Sequence, residues 1–367
     1  MSLIEQLEGI ELPAVSWETD ILPARCDAYA PEDLDALCNT GRVMWGRLSP
    51  PMGGEGLRAT GPIRSSPVAL WPREHADFWL RHLADASQLA LTTYARQVYI
   101  ALAENGASFF QDLIAATRLL PTQVEQGLGE LVAFGLVTSD SFSGLRALLT
   151  PVDQRHVPTR ASRRRKTSPY GMHSAGRWSL LQKPGAGDGS EESARTHSSA
   201  RGSGSESSEA EIERWARLLL RRYGVVMSRL LQREPNAPAW RDLLRYFWRM
   251  EARGEVRGGR FVAGFTGEQF ALPEALALLR KLRNDSSQDL IVLSAADPLN
   301  LTGIVTAGAR ITSYATNRIG FRGGIPELVL ESGEVRYLTN GREVPHDLKK
   351  AMRRRPVAPE LRVLLRP

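Results

Sequence analysis

The sequence predicts a mainly α fold with small β elements: tandem winged-helix domains followed by a small β-barrel. Three observations carry the prediction. From Trp240 to Pro273 a helical run passes directly into a Gly-tipped hairpin. Leu243, Leu244, Phe247 and Met250 recur at three- and four-residue steps and so share one helical face, while Arg241, Arg245, Arg249 and Arg253 occupy the remainder. After Gly254 the apolar period becomes strand-like, with Val256, Phe261 and Val262 before a turn and Phe270 and Leu272 after it. Residues 88–150 read as three helices and a hairpin, again the order of a winged helix. From residue 289 onward, short apolar runs recur between Gly and Asn turns, as in a small barrel.

The elements follow in order. Residues 1–85 form a partial winged-helix-like region whose first helix is missing or lies upstream. Leu12–Leu22 and Pro31–Leu37 read as helices, the second opened by Pro31 with Glu32 and Asp33 in its first turn. Arg42–Leu48 and Ser66–Trp71 read as strands around a Gly/Pro-rich loop. Residues 86–150 form a winged-helix domain. Its first helix stops at Gly106, Ser108 caps the second, Pro121 opens the third, and Val137–Thr150 reads as the hairpin. The third helix carries Glu125 and Glu130 and no Lys or Arg, so it suits packing better than phosphate contact. Residues 151–208 are a basic, Gly/Ser-rich linker that cannot bury enough apolar surface to fold, apart from a short strand at Gly176–Leu181. Residues 209–285 form the second complete winged helix, ending in a further helix opened by Pro273. Residues 286–340 supply the barrel, with strands read at Asp289–Asp297, Asn300–Thr306, Thr316–Gly324, Pro326–Ser332 and Glu334–Thr339. Residues 341–367 are a basic tail with one short helix.

Composition narrows the function classes. Hydrophobic content of 42% and charged content of 24% are ordinary for a globular protein. No uninterrupted apolar run of about 18 residues occurs, so no membrane partner is expected. The opening MSLIEQLEG lacks the basic-then-apolar pattern of a signal peptide, so a cytoplasmic, nucleoid-associated location is expected. Cys26 and Cys38 are the two cysteines, too few for a disulfide framework and without clustered His for zinc. No metal and no cofactor is expected. The net charge of +6 is local: residues 155–208 hold ten Lys or Arg against four Asp or Glu, and the rest of the chain has 37 of each. Only local arginine stripes of the folded parts can therefore attract a polyanion.

Those stripes define a candidate nucleic-acid surface. Arg241, Arg245 and Arg249 lie on the helix, Arg257 and Arg260 on the wing, and Arg163, Arg164, Arg165 and Lys166 form a basic run in the linker. In a winged helix the third helix enters a groove of the duplex while the wing rests on phosphates. The bland alternative is a solvated charged face. Trp240, Phe247 and Trp248 read as packing residues rather than base-stacking ones.

The segments ILPAR, LDALCNTGRVMWGRL, SFFQDLIAATRLLPTQVEQGLGELVAFGLVTSDSFSGLRALL, LLRRYGVV, EARGEVRGGRFVAGFTGEQFALPEA and SAADPLNLTGIV resemble the C-terminal half of bacterial Lhr, the large helicase-related proteins. The resemblance covers nearly all of the chain outside the linker. It implies tandem winged helices and a β-barrel appended to a superfamily II DNA helicase acting in DNA repair. It also implies a fold similar to the AlkZ/YcaQ class of DNA glycosylases. Two departures stand out. No GxxxxGK[ST] phosphate loop occurs, so the ATPase motor is not in this chain. The Gln-x-Gln or Gln-x-Asp of the AlkZ-like enzymes is also missing. By resemblance Asp297 in SAADPLN is the foremost catalytic carboxylate, with Glu11, Glu18 and Glu327 behind it. An Asp-Pro pair equally initiates a turn. Three readings stay open: a DNA-binding module for single-stranded or duplex DNA serving an Lhr-type helicase core, a DNA glycosylase excising a damaged or deaminated base, and an oligomerisation scaffold assembling copies of the chain.

Overall fold

The computed structural model describes residues 1–49, 63–83, 89–150, 171–172, 175–182, 203–283, 287–339, 342–355, 357–358, 361 and 364. In chain order the first unit contains α1 (Ser2–Gln6), β1 (Leu12–Pro13), a π-helical turn (Trp17–Ile21), α2 (Pro31–Asn39), β2 (Val43–Gly46), β3 (Pro67–Pro72) and α3 (Ala76–Trp79). The second contains α4 (Thr93–Asn105), β4 (Ser108–Phe109), α5 (Phe110–Thr117), α6 (Pro121–Ala133), β5 (Val137–Ser139), α7 (Phe142–Leu149) and β6 (Arg177–Leu180). The third contains α8 (Ser203–Tyr223), β7 (Val225–Met227), α9 (Trp240–Ala252), β8 (Arg257–Gly259), β9 (Gln269–Ala271) and α10 (Pro273–Leu282). The last contains β10 (Leu290–Ser294), β11 (Arg318–Arg322), β12 (Ile325–Glu331), β13 (Glu334–Tyr337) and α11 (His346–Arg353).

The first three units repeat one topology. Their sheets run β1-β3-β2, β4-β6-β5 and β7-β9-β8, each antiparallel with its last strand in the middle. That is the winged-helix order. The first unit shares this sheet order, with the five-residue α1 ahead of it. Leu12–Leu22 does not form the single helix its apolar content suggests. Leu12 pairs with Val68 as a strand, and the helix begins only at Trp17, whose indole Nε1 donates to the Val68 carbonyl at 2.7 Å.

Strand β3 shows how the sheet of the first unit organises the molecule. Its run PVALWP is buried almost throughout, and side chains alternate across a strand. Val68 and Leu70 enter one core and Ala69 and Trp71 a second. The first core joins this unit to the second winged helix, where Trp45 meets Phe142 and Trp178 edge-on at 6.0 and 6.2 Å. The other core joins it to the third winged helix, through Trp71, Trp79, Trp215 and Phe247. Gly9 permits the close approach on that side: at φ +72, a Cβ there would sit 1.9 Å from the Trp79 ring.

One sequence expectation is overturned, and the expected barrel is met only as a four-stranded sheet among the described residues. Val137–Thr150 is not a hairpin: β5 ends at Ser139, and Phe142–Leu149 is a helix with buried Phe142, Leu145 and Leu149 at helical spacing. The strand that pairs with β5 is β6, with Ser139 opposite Trp178, so the Gly176–Leu181 run supplies the middle strand of the winged-helix sheet. In the last unit, β10 to β13 pair in sequence order as an open antiparallel meander. Among the described residues no pairing joins β13 to β10, and Asn300–Thr306 contributes only an isolated bridge from Thr302 to Thr306. Apolar clusters lie on both faces of this sheet, one of them roofed by Val344 and by Met352 of α11.

Candidate nucleic-acid interface and interdomain carboxylates

Helix α9 is amphipathic for the reason its sequence gives. Leu243, Tyr246, Phe247 and Met250 are buried, and the Phe247 ring stacks on Phe270 of β9 at 5.0 Å and 18°. That contact fixes the helix on the sheet and turns Arg241, Arg245, Trp248 and Arg249 outward. The wing is pinned to the same helix. The Trp248 indole donates to Glu268 at 2.7 Å, and Glu251 accepts the Gly258 N–H at 2.9 Å. The buried Gln269 side chain accepts the Phe261 and Val262 N–H groups, both at 2.8 Å, and donates to the Val262 carbonyl at 2.9 Å. Helix and wing thus form one preorganised surface. Trp248 corrects the sequence expectation: its indole is anchored, yet the residue is 46% exposed and packs no core.

The arginines differ in what they are free to do. Arg245, Arg257 and Arg260 are exposed and make no ion pair among the described residues. Arg241 is 82% exposed, with Asp242 3.6 Å away. Arg249 is engaged: it pairs with Glu209 and its guanidinium lies 5.2 Å from the Tyr246 ring centre. Arg163, Arg164, Arg165 and Lys166 lie outside the described residues. An exposed surface ion pair contributes little to stability, so Arg249 can exchange Glu209 for a phosphate at small cost.

The four sequence-proposed carboxylates occupy very different places. Asp297 is 1% exposed and grips Arg25 with both oxygens, at 2.7 and 2.8 Å, while Oδ1 also accepts the Leu299 N–H at 2.8 Å. It forms the turn that its Asp-Pro sequence favours and ties the last unit to the first; with its oxygens so occupied it is poorly arranged to move a proton. Glu18 is buried against Arg146 at 2.6 Å and receives the Tyr29 hydroxyl at 2.6 Å. Burial raises its carboxyl above the ordinary range, against the pull of Arg146, and burial together with Glu18 raises the Tyr29 phenol. Glu327 pairs with Arg322 at 2.8 Å. Glu11 accepts the Leu48 and Ser49 N–H groups on Oε1, at 2.7 and 3.0 Å, and lines a cleft at the junction of three units. Of the four, Glu11 lines this cleft.

Comparison with known sequences adds the family. Residues 1–73 match the model for the third winged-helix domain of the large helicase-related protein, and residues 205–291 match the model for the fourth. A protein of Escherichia coli (strain K12) named Lhr helicase/uracil glycosylase is 30% identical over 97% of this chain. The chain corresponds to the C-terminal winged-helix region of Lhr. A second relative, the Lhr helicase/probable uracil glycosylase of Mycolicibacterium smegmatis, is 28% identical over 93% of the chain. The chain spans about a quarter of these proteins, 24% and 22% of their lengths.

Within this Lhr region the structure reveals ionic residues that sequence patterns did not single out. Arg146 sits on α7 with 0% exposure and reaches three groups of the first unit: Glu18, Asp35 at 2.8 Å and the Pro31 carbonyl at 3.1 Å. Asp20, two residues from Glu18, lies 3.7 Å from Arg318 and 3.8 Å from Arg355, and burial raises its carboxyl as well. A buried arginine in a helix reads as a surface residue in sequence; only its long-range partners, more than a hundred positions away, reveal it. The repeated acids in WETD, inside an apolar stretch, were the one available signal.

Proposed function

We propose that this chain is a DNA-binding accessory module of an Lhr-type superfamily II helicase acting in DNA repair, with the ATPase motor residing elsewhere. The observation that carries the reading is the set of exposed guanidinium groups of Arg245, Arg257 and Arg260, without an ion pair among the described residues, on one helix–wing surface. A winged helix lays its third helix along a groove and its wing on the backbone, and arginine suits both phosphates and guanine edges. The test is fluorescence anisotropy with a labelled duplex across a salt series. An Arg245→Glu/Arg257→Glu/Arg260→Glu variant is expected to lose more than about tenfold in affinity, and the slope of log K against log salt should flatten by about 0.9 per lost contact, ~2.7 in all. Unchanged affinity and slope would reject the surface.

A second reading is favoured by the relatives' names and by Glu11 at the cleft: base excision by a monofunctional glycosylase. A carboxylate beside a cavity at the junction of domains is where a water could be directed at a sugar carbon. Incubation with a uracil-containing duplex in the absence of ATP, followed by alkali, reads strand breaks at abasic sites. Breaks lost in Glu11→Gln support this reading, and intact strands with the native protein reject it.

A further inference from the structure

A cleft of about 250 Å³ opens where the first unit, the third winged helix and the last unit meet. The segment Gly9–Pro13 forms one wall, Gln232–Asn236 a second, and Ala296, Arg310 and Ser313 a third. Its charge is asymmetric. Glu234 is neutralised inside the protein, because Arg222 pairs with it and the Tyr223 hydroxyl donates to it at 2.7 Å. Arg233 and Arg310 have no carboxylate partner among the described residues. The partners of Arg233 are neutral, the Ser313 hydroxyl at 2.9 Å and the Asp297 backbone carbonyl at 3.2 Å, and its Nε is buried without a hydrogen bond. Two cations therefore face this space against the carboxylate of Glu11 and that of Glu234, which Arg222 already pairs. A guanidinium left with a buried, unmatched N–H is short of an acceptor. Burial lowers the affinity of Arg233 for its proton, and the charge of Arg310 lowers it further against the opposing pull of Tyr223, Glu234 and Asp297, so an anion between the two arginines would offset both.

We infer that this cleft is a phosphate site, separate from the helix–wing surface, in which Arg233 and Arg310 clamp one phosphate group with Ser313 beside them. Its size, below the usual range of about 300–1,000 Å³ for small-molecule pockets, suits a single phosphate group and excludes a duplex. The planar guanidinium fork of arginine matches two oxygens of a phosphate at once, which makes arginine a common phosphate ligand. The phosphate is either a diester of a single strand passing between the units or a free monoester. The inference goes beyond the interface of α9 and requires no base excision.

The experiment uses the full chain and the Arg310→Glu variant; Arg310 is exposed, and its side chain makes no hydrogen bond or ion pair among the described residues. Anisotropy with a labelled single-stranded oligonucleotide is measured across a salt series, and line-broadening of inorganic phosphate is followed by phosphorus NMR. A strand site predicts a roughly tenfold weaker oligonucleotide complex in Arg310→Glu, a salt slope flatter by about 0.9, near-native binding in Arg310→Lys, and additivity with Arg245→Glu. A monoester site predicts phosphate broadening that the native chain shows and Arg310→Glu abolishes. If Arg310→Glu changes neither readout, the cleft proposal is overturned. Loss in Arg245→Glu alongside that result would leave the helix–wing surface standing, and no loss in either variant would overturn both.

Discussion

Replacing Arg146 with methionine would remove the guanidinium at the join between the first two units. Arg146→Met keeps the length of the aliphatic stem, so packing beside Phe142 survives and the change is chiefly electrostatic. Glu18 would then stand in the core with only the Tyr29 hydroxyl, 2.6 Å away, to stabilise its charge. Orphaning one member of a buried pair costs about 3–5 kcal/mol. The loss of Asp35 as a partner adds little, since that side chain is 20% exposed and water can replace the guanidinium. At roughly 2–4 °C per kcal/mol, the melting temperature should fall by about 6–20 °C. The pH dependence gives the sign. The Glu18 carboxyl is raised in the folded state, so its protonated form is the one the fold prefers, and stability is regained as pH falls through that raised value toward the ordinary carboxylate range. Urea unfolding followed by tryptophan fluorescence, at pH 8 and pH 5, should show a deficit that narrows at the lower pH. The Arg146→Met/Glu18→Gln double variant should regain at least about 1 kcal/mol over the single one. A loss below about 1 kcal/mol that does not change with pH would refute the argument.

Two further outcomes are expected. Asp297→Asn keeps an acceptor for the Leu299 N–H but halves the grip on Arg25, so the variant should lose roughly 1.5–3 kcal/mol and exchange amide hydrogens faster in β10 and β11. Under the base-excision proposal, any fall in excision should follow that loss of stability; abolished excision at an unchanged melting temperature would instead make Asp297 catalytic. Burial and the charge of Asp35 push the Cys38 thiol up to about 12, so it stays protonated and contributes fully to stability below pH 9, a contribution lost as the pH climbs toward that value. Iodoacetamide at pH 8.5 should label Cys26, which is partly exposed, and spare Cys38 until the protein unfolds. Two labels on the native protein, read by mass spectrometry, would contradict this.

How much of this was legible beforehand depends on the range of the interaction. Helix α9 and its wing were readable because their signals are local: an apolar stripe at helical period, then Gly-rich strands. The exposed arginines followed from the same stripe, since whatever is not on the buried face must point outward. Strand β6 was visible as a short apolar run, but its partner was not, because residues 140–176 separate it from β5, far more than a hairpin loop does. The helix α7 was misread for a related reason. Its residues alternate weakly enough to pass for a strand, and only the core formed with Trp45 and Trp178 selects the helical face.

The amino-acid order alone determined the winged-helix character, the outward arginines and the absence of a phosphate loop, because each depends on neighbours within a turn or two of the chain. Tertiary structure alone decided the fate of the charged residues. It buried Arg146 and matched it to Glu18 and Asp35, used both oxygens of Asp297 to hold Arg25, and left Arg233 and Arg310 facing a shared cleft. The physical reason is that a charge interacts through space: its partners, and the water it loses, are set by which units pack together and not by the residues beside it in sequence.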